Sequence, residues 1–210
     1  MIKVCIADDH DLIREGIKKI LRTSADMSLV GEAQNGTEVM DVLRKHPSDV
    51  LILDISLPGI SGLDLLQDLR RTFRKTAVLI VSMHPEERYA IRAFRNGASG
   101  YLTKDKAGEF LLEAVSRLAS GGRYITEALA DRLAEELQRP AHKEPHETLS
   151  DREFQIFLFL ASGKSVGTIA EELHLGVTTI STYRARILEK MALSSNADMT
   201  QYAFSHRLLE

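Results

Sequence analysis

The feature that most constrains this chain is a regular alternation of short apolar runs with amphipathic helical patterns across residues 1–122. Each run has four to six residues and is rich in the aliphatic side chains that favour β-strands. The five predicted strands are residues 3–7, 29–33, 50–54, 77–82 and 100–103. Because one helical pattern follows each run, the sequence predicts a parallel sheet covered by helices on both faces.

The helical patterns support a doubly wound α/β arrangement. Apolar residues recur at helical spacing after every predicted strand, beginning with Leu12, Ile13 and Ile17. We expect Asp11 to cap the first helix and Gly97 to end the fourth, residues 86–96, at its C-cap. Right-handed crossovers leave few topologies for five strands joined in this way.

A proline-containing segment separates this region from a purely helical one. Residues 127–139 are charged and helix-prone, and the polar stretch PAHKEPHE follows from Pro140, with a composition that suits a linker. We therefore predict an α/β domain over residues 1–122, a linker over 123–147 with a helical start and a proline-containing end, and an all-α domain over 148–210.

The second domain is predicted to contain four helices. Ser150 and Glu153 form a capping box at the start of the first, and later helices are expected near residues 166–173, 178–191 and 196–208. The turn at residues 174–177, which contains Gly176, fits a helix-turn-helix. Many small helical domains show the same pattern, so periodicity alone is weak support for nucleic-acid binding.

Polar side chains stand at the carboxyl ends of four predicted strands, where open α/β sheets form their sites. They are Asp8 and Asp9, Asp54, Ser82 and Lys104. Three converging carboxylates repel one another unless a cation neutralises them, and oxygen ligands without His or Cys suit Mg²⁺. A lysine and a hydroxyl opposite them could hold a phosphoryl group. Any one of these residues could be a solvated loop residue, but the whole set predicts a site.

Four motifs at these strand ends resemble those of response-regulator receiver domains. They are IADDH from Ile6, LDISLPGISG from Leu53, VSMH from Val81 and GASGYLTK from Gly97. The resemblance implies a flavodoxin-like fold in which Asp54 accepts a phosphoryl group from a sensor histidine kinase. It also implies a Mg²⁺ site formed by Asp8, Asp9, Asp54 and the backbone carbonyl of Ser56.

The same resemblance implies a conformational switch. Lys104 would contact the phosphoryl group, while Ser82 and Tyr101 would fill the hydroxyl and aromatic switch positions. A hydroxyl drawn toward a phosphoryl oxygen vacates space into which the ring can turn, which makes a bistable element. The chain departs from the family at Asp105, where many receivers carry proline.

The third helix of the second domain carries hydroxyls and arginines and no acid before Glu189, and such side chains donate to phosphates. Its stretch TTISTYRARILEK, with LSDRE from Leu149, GKS from Gly163 and IAEEL from Ile169, resembles the LuxR-class DNA-binding domain. The whole chain resembles a NarL/FixJ-type response regulator. The resemblance implies base contacts from Ser181, Thr182 and Ala185, and further DNA contacts from Lys164, Thr178, Thr179, Tyr183, Arg184 and Arg186.

The charge of the second domain predicts weak binding by a monomer. Residues 148–210 hold six basic and seven acidic side chains, and Thr178 replaces a lysine usual in the family. We therefore expect the phosphorylated chain to form a homodimer on paired half-sites of double-stranded promoter DNA. Tyr202 and Phe204 in the last helix cannot face the same direction, so either both pack inside the domain or one is left for a partner subunit. The resemblance implies the second arrangement, because members of the family pair two DNA-binding domains through this helix.

Composition excludes some locations, and two other functions remain open. The apolar runs fall far short of the roughly 20 residues that span a bilayer, and the single cysteine, Cys5, fits a reducing, cytoplasmic compartment. A metal-dependent phosphatase would need an acid two residues after its nucleophile on the first strand, whereas this strand ends in Asp8-Asp9-His10. A phosphorylation-gated module that binds protein or RNA is the other alternative.

Overall fold

The structure is a computed structural model that describes residues 1–58, 60, 62–138 and 144–209, and the chain divides into two compact units, Met1–Gln138 and Arg139–Glu210. Strands of the first unit are β1 Ile2–Ala7, β2 Met27–Ala33, β3 Val50–Leu53, β4 Ala77–Ser82 and β5 Gly100–Thr103. Its helices are α1 Asp11–Leu21, α2 Gly36–Lys45, α3 Gly62–Thr72, α4 Glu86–Asn96, α5 Ala107–Ala119 and α6 Glu127–Gln138. Residues 139–143 of the predicted linker lie outside the described residues.

The first unit is a five-stranded parallel sheet in the order β2-β1-β3-β4-β5, which confirms the predicted α/β fold class. The central strands are buried on both faces and read as continuous apolar sequence for that reason. Helices α1 and α5 pack against one another and α5 also covers β4 and β5. Leu111, Ala114 and Val115 of α5 are completely buried in this layer.

The only cysteine of the chain, Cys5, lies in the middle of β1 and has no exposed surface. Its Sγ closely approaches the backbone of Gly31 on β2, where an added Cβ would lie 3.1 Å from the sulfur. Burial raises the pKa of this thiol above its ordinary value, and a hydrogen bond with Ser48 offsets only part of the effect. The residue therefore behaves as a small apolar core side chain.

Two helix ends show where local sequence rules succeed and fail. Gly97 ends α4 in the left-handed conformation, with φ +110°, as predicted. The expectation that Asp11 caps α1 is wrong, because His10 occupies the N-cap position and makes no side-chain capping bond. Asp11 instead lies in the first turn and accepts a hydrogen bond from the Arg14 guanidinium, one turn further along.

The second unit contains the four helices that the sequence predicts, and a short 3₁₀-helix that was not predicted, Pro145–Thr148, precedes them. These are α7 Asp151–Ala161, α8 Val166–Glu172, α9 Val177–Met191 and α10 Asn196–Ser205. The capping box predicted for Ser150 and Glu153 is present at the start of α7. Across the described residues of both units, no helix is both long enough and apolar enough to cross a bilayer.

Helix α7 is the central helix of this unit, and its buried polar groups fix its neighbours. The Arg152 guanidinium donates to Gln155 Oε1 at 2.7 Å and to the carbonyl of Leu173, at the end of α8, at 3.4 Å. Glu153 accepts a hydrogen bond of 2.7 Å from Lys190 Nζ on α9. Helices α8 and α9 are therefore both held to α7 through charged side chains.

Candidate functional site

The strand register brings the predicted acidic residues to one edge of the sheet. Ala7 pairs with Leu53, so Asp8 and Asp54 follow directly after neighbouring strand ends. Ser82 pairs with Thr103 on β5, and Lys104 follows that strand end. The carboxylates of Asp8 and Asp54 are only 2–3% exposed, although the crevice is at the surface of the sheet.

Lys104 joins two of these acids directly. Its ammonium lies 2.6 Å from Asp8 Oδ2 and 2.7 Å from Asp54 Oδ2. Asp54 Oδ1 accepts a further bond of 3.2 Å from the backbone N–H of Ser56, and Asp8 Oδ1 accepts one of 2.8 Å from that of His10. The lysine thus neutralises part of the charge that two buried carboxylates would otherwise place side by side.

The Asp54 loop also depends on a close backbone approach. The Gly62 N–H donates to the Ile55 carbonyl at 2.9 Å, and a Cβ on Gly62 would collide with the carbonyl of Asp54. Only glycine therefore lets α3 begin against the loop that carries Asp54.

Burial affects the pKa of Asp54 more than the neighbouring charge of Lys104 does. Burial raises the pKa of Asp54 above its ordinary value; the Lys104 charge counteracts this effect and the Asp8 charge adds to it. Burial alone would lower the pKa of Lys104, but its attraction to Asp54 and its bonds to both carboxylates outweigh that effect and raise it. The arrangement therefore keeps the lysine charged while the Asp54 carboxylate remains poorly neutralised.

The acids also fit a hard cation. One ligand atom from each of Asp8, Asp9, His10 and Asp54 lies within 4.8 Å of the others. Asp9 Oδ1 is buried and makes no hydrogen bond to any described residue, although His10 Nδ1 lies 2.8 Å away. A buried carboxylate oxygen without a hydrogen bond in a crevice of other carboxylates is what a divalent ion bound through oxygen would satisfy. His10 was not among the residues predicted from sequence, and its place directly after the acid pair is the signal that could have found it.

The two predicted switch residues lie on neighbouring strands and share a partner. Ser82 Oγ, fully buried, accepts a bond of 3.2 Å from the His84 N–H, and the Tyr101 hydroxyl donates to the His84 carbonyl at 2.9 Å. The Tyr101 ring has no exposed surface, and burial raises the pKa of its hydroxyl. His84 itself, which sequence analysis missed, places Nε2 3.3 Å from Ser56 Oγ. The loop that contains His84 therefore contacts both switch residues, Ser82 and Tyr101, and also Ser56, which lies two residues after Asp54.

The predicted DNA-contacting side chains lie on or near α9, and most of them are exposed. The exposed residues of this set on α9 are Thr178, Thr179, Ser181, Thr182, Ala185 and Arg186. The hydroxyls of Ser181 and Thr182 each donate 3.0 Å bonds to carbonyls one turn back, which leaves their oxygens free to accept. Val177 at the start of the helix is 56% exposed and was not predicted.

Three of the predicted contacts are directed elsewhere or partly covered. Arg184 Nε donates to Asn196 Oδ1 on α10 at 2.7 Å, and Tyr183 is half-buried. Lys164 Nζ lies 2.6 Å from Glu172 Oε2 and 4.2 Å above the Phe159 ring. Arg186 makes no ion pair or side-chain hydrogen bond with the described residues. It is therefore the cation of α9 that is best placed to meet a phosphate.

The last helix separates its two aromatic residues. Tyr202 is half-buried, its hydroxyl lies 2.9 Å from His146 Nδ1, and its ring meets Phe157 edge-on. Phe204 is 53% exposed, so it is the one that α10 leaves on the surface.

Two family models match the chain, one for each unit. Residues 4–116 match the response regulator receiver domain, and residues 147–203 match the bacterial regulatory proteins of the luxR family. The chain is 35% identical to the response regulator GacA of Pseudomonas aeruginosa over all of this chain and 99% of that protein. It is 34% identical to the response regulator UvrY of Escherichia coli over 99% and 96% of the two chains.

Solved structures of RcsB resemble the chain along almost its whole length. One, from Salmonella enterica serovar Typhimurium, is bound to a promoter in the presence of the phosphomimetic BeF₃⁻, with a TM-score of 0.59 and 26% identity over 96% of this chain and 97% of that one. Another contains two RcsB dimers bound to two parallel DNAs, with a TM-score of 0.60 and 26% identity over 97% and 98% of the two chains. These relatives are response regulators and not turnover enzymes, which disfavours the phosphatase alternative.

The raised pKa of Asp54 predicts that removal of its charge stabilises the metal-free fold. Asp54→Asn should increase the free energy of unfolding of the first unit by about 1 kcal/mol or more, because it removes a buried and poorly neutralised charge while Lys104 keeps Asp8. The change is measured by urea unfolding in EDTA, with the hydrogen exchange of β3 and β4 amides as the readout.

The matched control is Asp68→Asn, which removes the same charge from an exposed position on α3 and should change the stability little. Added Mg²⁺ should stabilise the wild-type protein more than the Asp54→Asn variant. A loss of stability in Asp54→Asn under metal-free conditions would mean that Lys104 neutralises the carboxylate fully.

Proposed function

Since the chain belongs to the NarL/FixJ-type response regulators, we propose that phosphorylation of Asp54 controls its binding to promoter DNA. The observation that carries the proposal is the buried Asp54 carboxylate, held 2.7 Å from Lys104 Nζ beside Asp8 and Asp9. The second unit contributes α9, on which hydroxyls and Arg186 are exposed. We propose that the protein acts in the cytoplasm, where a sensor histidine kinase would supply the phosphoryl group.

Asp54 is the proposed nucleophile. An Asp54 carboxylate oxygen would form the new bond to phosphorus while the bond from phosphorus to the donor, a phosphohistidine nitrogen, breaks. The histidine nitrogen is the leaving group and keeps the electron pair of the broken bond. Asp8, Asp9, Asp54 and the Ser56 carbonyl would hold Mg²⁺, which neutralises the charge of the transferring group when bound. Lys104, already positioned by two carboxylates, would donate to a phosphoryl oxygen.

The proposed signal passes through the His84 loop. In the structure the Ser82 hydroxyl accepts from the His84 N–H, and the Tyr101 hydroxyl donates to the His84 carbonyl. A phosphoryl oxygen near Ser82 would offer this hydroxyl a stronger, charge-assisted acceptor. Because both side chains share His84, movement of Ser82 changes the contacts of Tyr101 as well, which gives two discrete arrangements.

DNA recognition is proposed to require two copies of α9. Its charge is modest, because Arg184 and Lys190 are engaged with Asn196 and Glu153. The exposed Phe204 on α10 is the residue we propose for the contact between two DNA-binding domains. The promoter-bound and dimeric RcsB structures support this arrangement by similarity. Pairing of half-sites would supply the affinity that one helix lacks.

The phosphoacceptor is tested by chemical phosphorylation. Acetyl phosphate with Mg²⁺ should add one phosphoryl group to the wild-type protein and none to Asp54→Asn, because an amide is a poor nucleophile with no negative charge. Intact-mass spectrometry measures the addition, and Asp68→Asn serves as the control that should label normally. Undiminished labelling of Asp54→Asn would exclude Asp54 as the acceptor.

The coupling role of Lys104 is tested at equal phosphorylation. Lys104→Ala should accept phosphate more slowly but should still be labelled. The labelled protein should fail to dimerise, since it lacks the charge that would hold the His84 loop in its rearranged position. Sedimentation of fully labelled samples measures dimer formation, with Lys106→Ala as the control at an exposed position two residues away. Wild-type dimerisation by phosphorylated Lys104→Ala would contradict the coupling.

The DNA contacts are tested by their dependence on salt and sequence. Arg186→Ala should weaken binding to all sequences and reduce the salt slope by about one, because one phosphate contact is lost. Thr182→Ala should mainly relax base preference, by about 1 kcal/mol at one position. Electrophoretic titrations of the phosphorylated protein measure both effects. Arg207→Asn, which removes an exposed cation outside α9 and tolerates the local φ of +54°, should bind like wild type.

A further inference from the structure

A second cavity lies at the end of the sheet opposite Asp54. It has a volume of about 710 Å³ and is formed where β3, β4 and β5 begin and where α3, α4 and α5 end. None of the residues placed at the phosphoacceptor site lines it. Its size is within the range of roughly 300–1,000 Å³ that is typical of small-molecule sites.

The cavity is strongly basic although the chain has a formal net charge of −3. Five cationic residues line it, namely Arg70, Arg71, Arg74, Lys75 and Arg123. The only carboxylate among the lining residues is Asp49, whose Oδ2 is already bonded to the Lys3 N–H at 2.7 Å. The local charge of the lining is therefore five positive minus one negative, or +4.

Four of these cations have no partner among the described residues. The side chains of Arg70, Arg71, Arg74 and Lys75 make neither an ion pair nor a hydrogen bond with any described group. Arg70 and Arg71 lie in the last turn of α3, where the partial negative charge of the helix C-terminus favours cations. This effect does not account for Arg74 and Lys75, which lie beyond the helix. Clustered like charges repel one another, so this arrangement favours an anion with several charges.

The cavity also has an apolar wall. Phe73 and Phe94 line it and are both half-buried. The stem of Arg70 packs against Gly97, where an added Cβ would lie 2.9 Å from Arg70 Cδ. Aromatic rings stack on nucleic-acid bases, and guanidinium groups bind phosphates through paired hydrogen bonds.

We propose that this cavity binds a nucleotide that carries a chain of phosphates, such as a nucleoside triphosphate. The net lining charge of +4 is balanced by the negative charge of a triphosphate group, and the two phenylalanines provide a surface for the base. A nucleic-acid strand would need a charged track that runs across several nucleotides, whereas these cations surround one cavity of nucleotide size. The site is separate from Asp54 and does not depend on the proposed function.

The proposal is tested by calorimetric titration of the full-length protein with ATP. EDTA is present, so that metal binding at the Asp54 site does not contribute. Arg71→Gln/Arg74→Gln should weaken ATP binding by about tenfold or more, because two charge-assisted contacts are lost. Lys19→Gln/Arg22→Gln, which removes the same charge from exposed positions on and just after α1 outside the cavity, should leave the affinity within about twofold.

Location and ligand chemistry are tested in the same samples. ATP should shift the amide resonances of Gly97 and Gly121 in the cavity lining and leave those of α9 unchanged. Tripolyphosphate and a single-stranded oligonucleotide should both bind more weakly than ATP. No binding of ATP, an equal loss in both double variants, or shifts confined to α9 would overturn the proposal. Tripolyphosphate that binds as tightly as ATP would overturn the recognition of a nucleoside, and tighter binding of the oligonucleotide would assign the cavity to nucleic acid.

Discussion

The first unit is organised around the cost of holding ionised carboxylates in a buried crevice. Asp8 and Asp54 are nearly inaccessible, and Lys104 offsets their repulsion only in part, as the raised pKa of Asp54 indicates. A buried charge that lacks full neutralisation raises the free energy of the metal-free site, and a bound divalent cation would lower it.

In the second unit, buried charges fix the orientation of a helix, α9, whose polar side chains are exposed. Arg152 reaches the end of α8 and Glu153 holds Lys190 of α9, so two buried charges of α7 position the helices on either side of the turn. Partners of this kind limit the motion of α9. The exposed hydroxyls of Ser181 and Thr182 donate hydrogen bonds to carbonyls of α9 itself.

Much of this could be predicted, because strand ends and helix periodicity are local properties. Asp8, Asp54 and Lys104 each follow a β-rich run, and a parallel sheet must bring such positions to one edge. What could not be predicted was which side chains would pair. The bond from Arg184 to Asn196 depends on how α9 and α10 cross, and the cavity of Arg74 and Arg123 is assembled from loops far apart in sequence.

Turn geometry was a further limit on prediction. The helix-turn-helix contains Gly176, yet the residue with left-handed φ is His174, at +51°, while Gly176 caps α9 with φ −70°. Histidine tolerates this region better than β-branched residues do, so the sequence gives no glycine signal at that position. Asp11 failed as a cap for a similar reason, because an acid one residue further along can bond to Arg14 instead.

The burial of Cys5 makes its thiol a probe of how often the first unit opens. It is the only thiol of the chain and is fully buried in β1, which lies between β2 and β3. The sulfur lies 3.8 Å from the His46 carbonyl at the end of α2, so a thiol reagent reaches it only when α2 lifts from the sheet or the unit unfolds, and the alkylation rate reports how often this happens. The same seclusion keeps oxidants from the sulfur while the sheet remains closed.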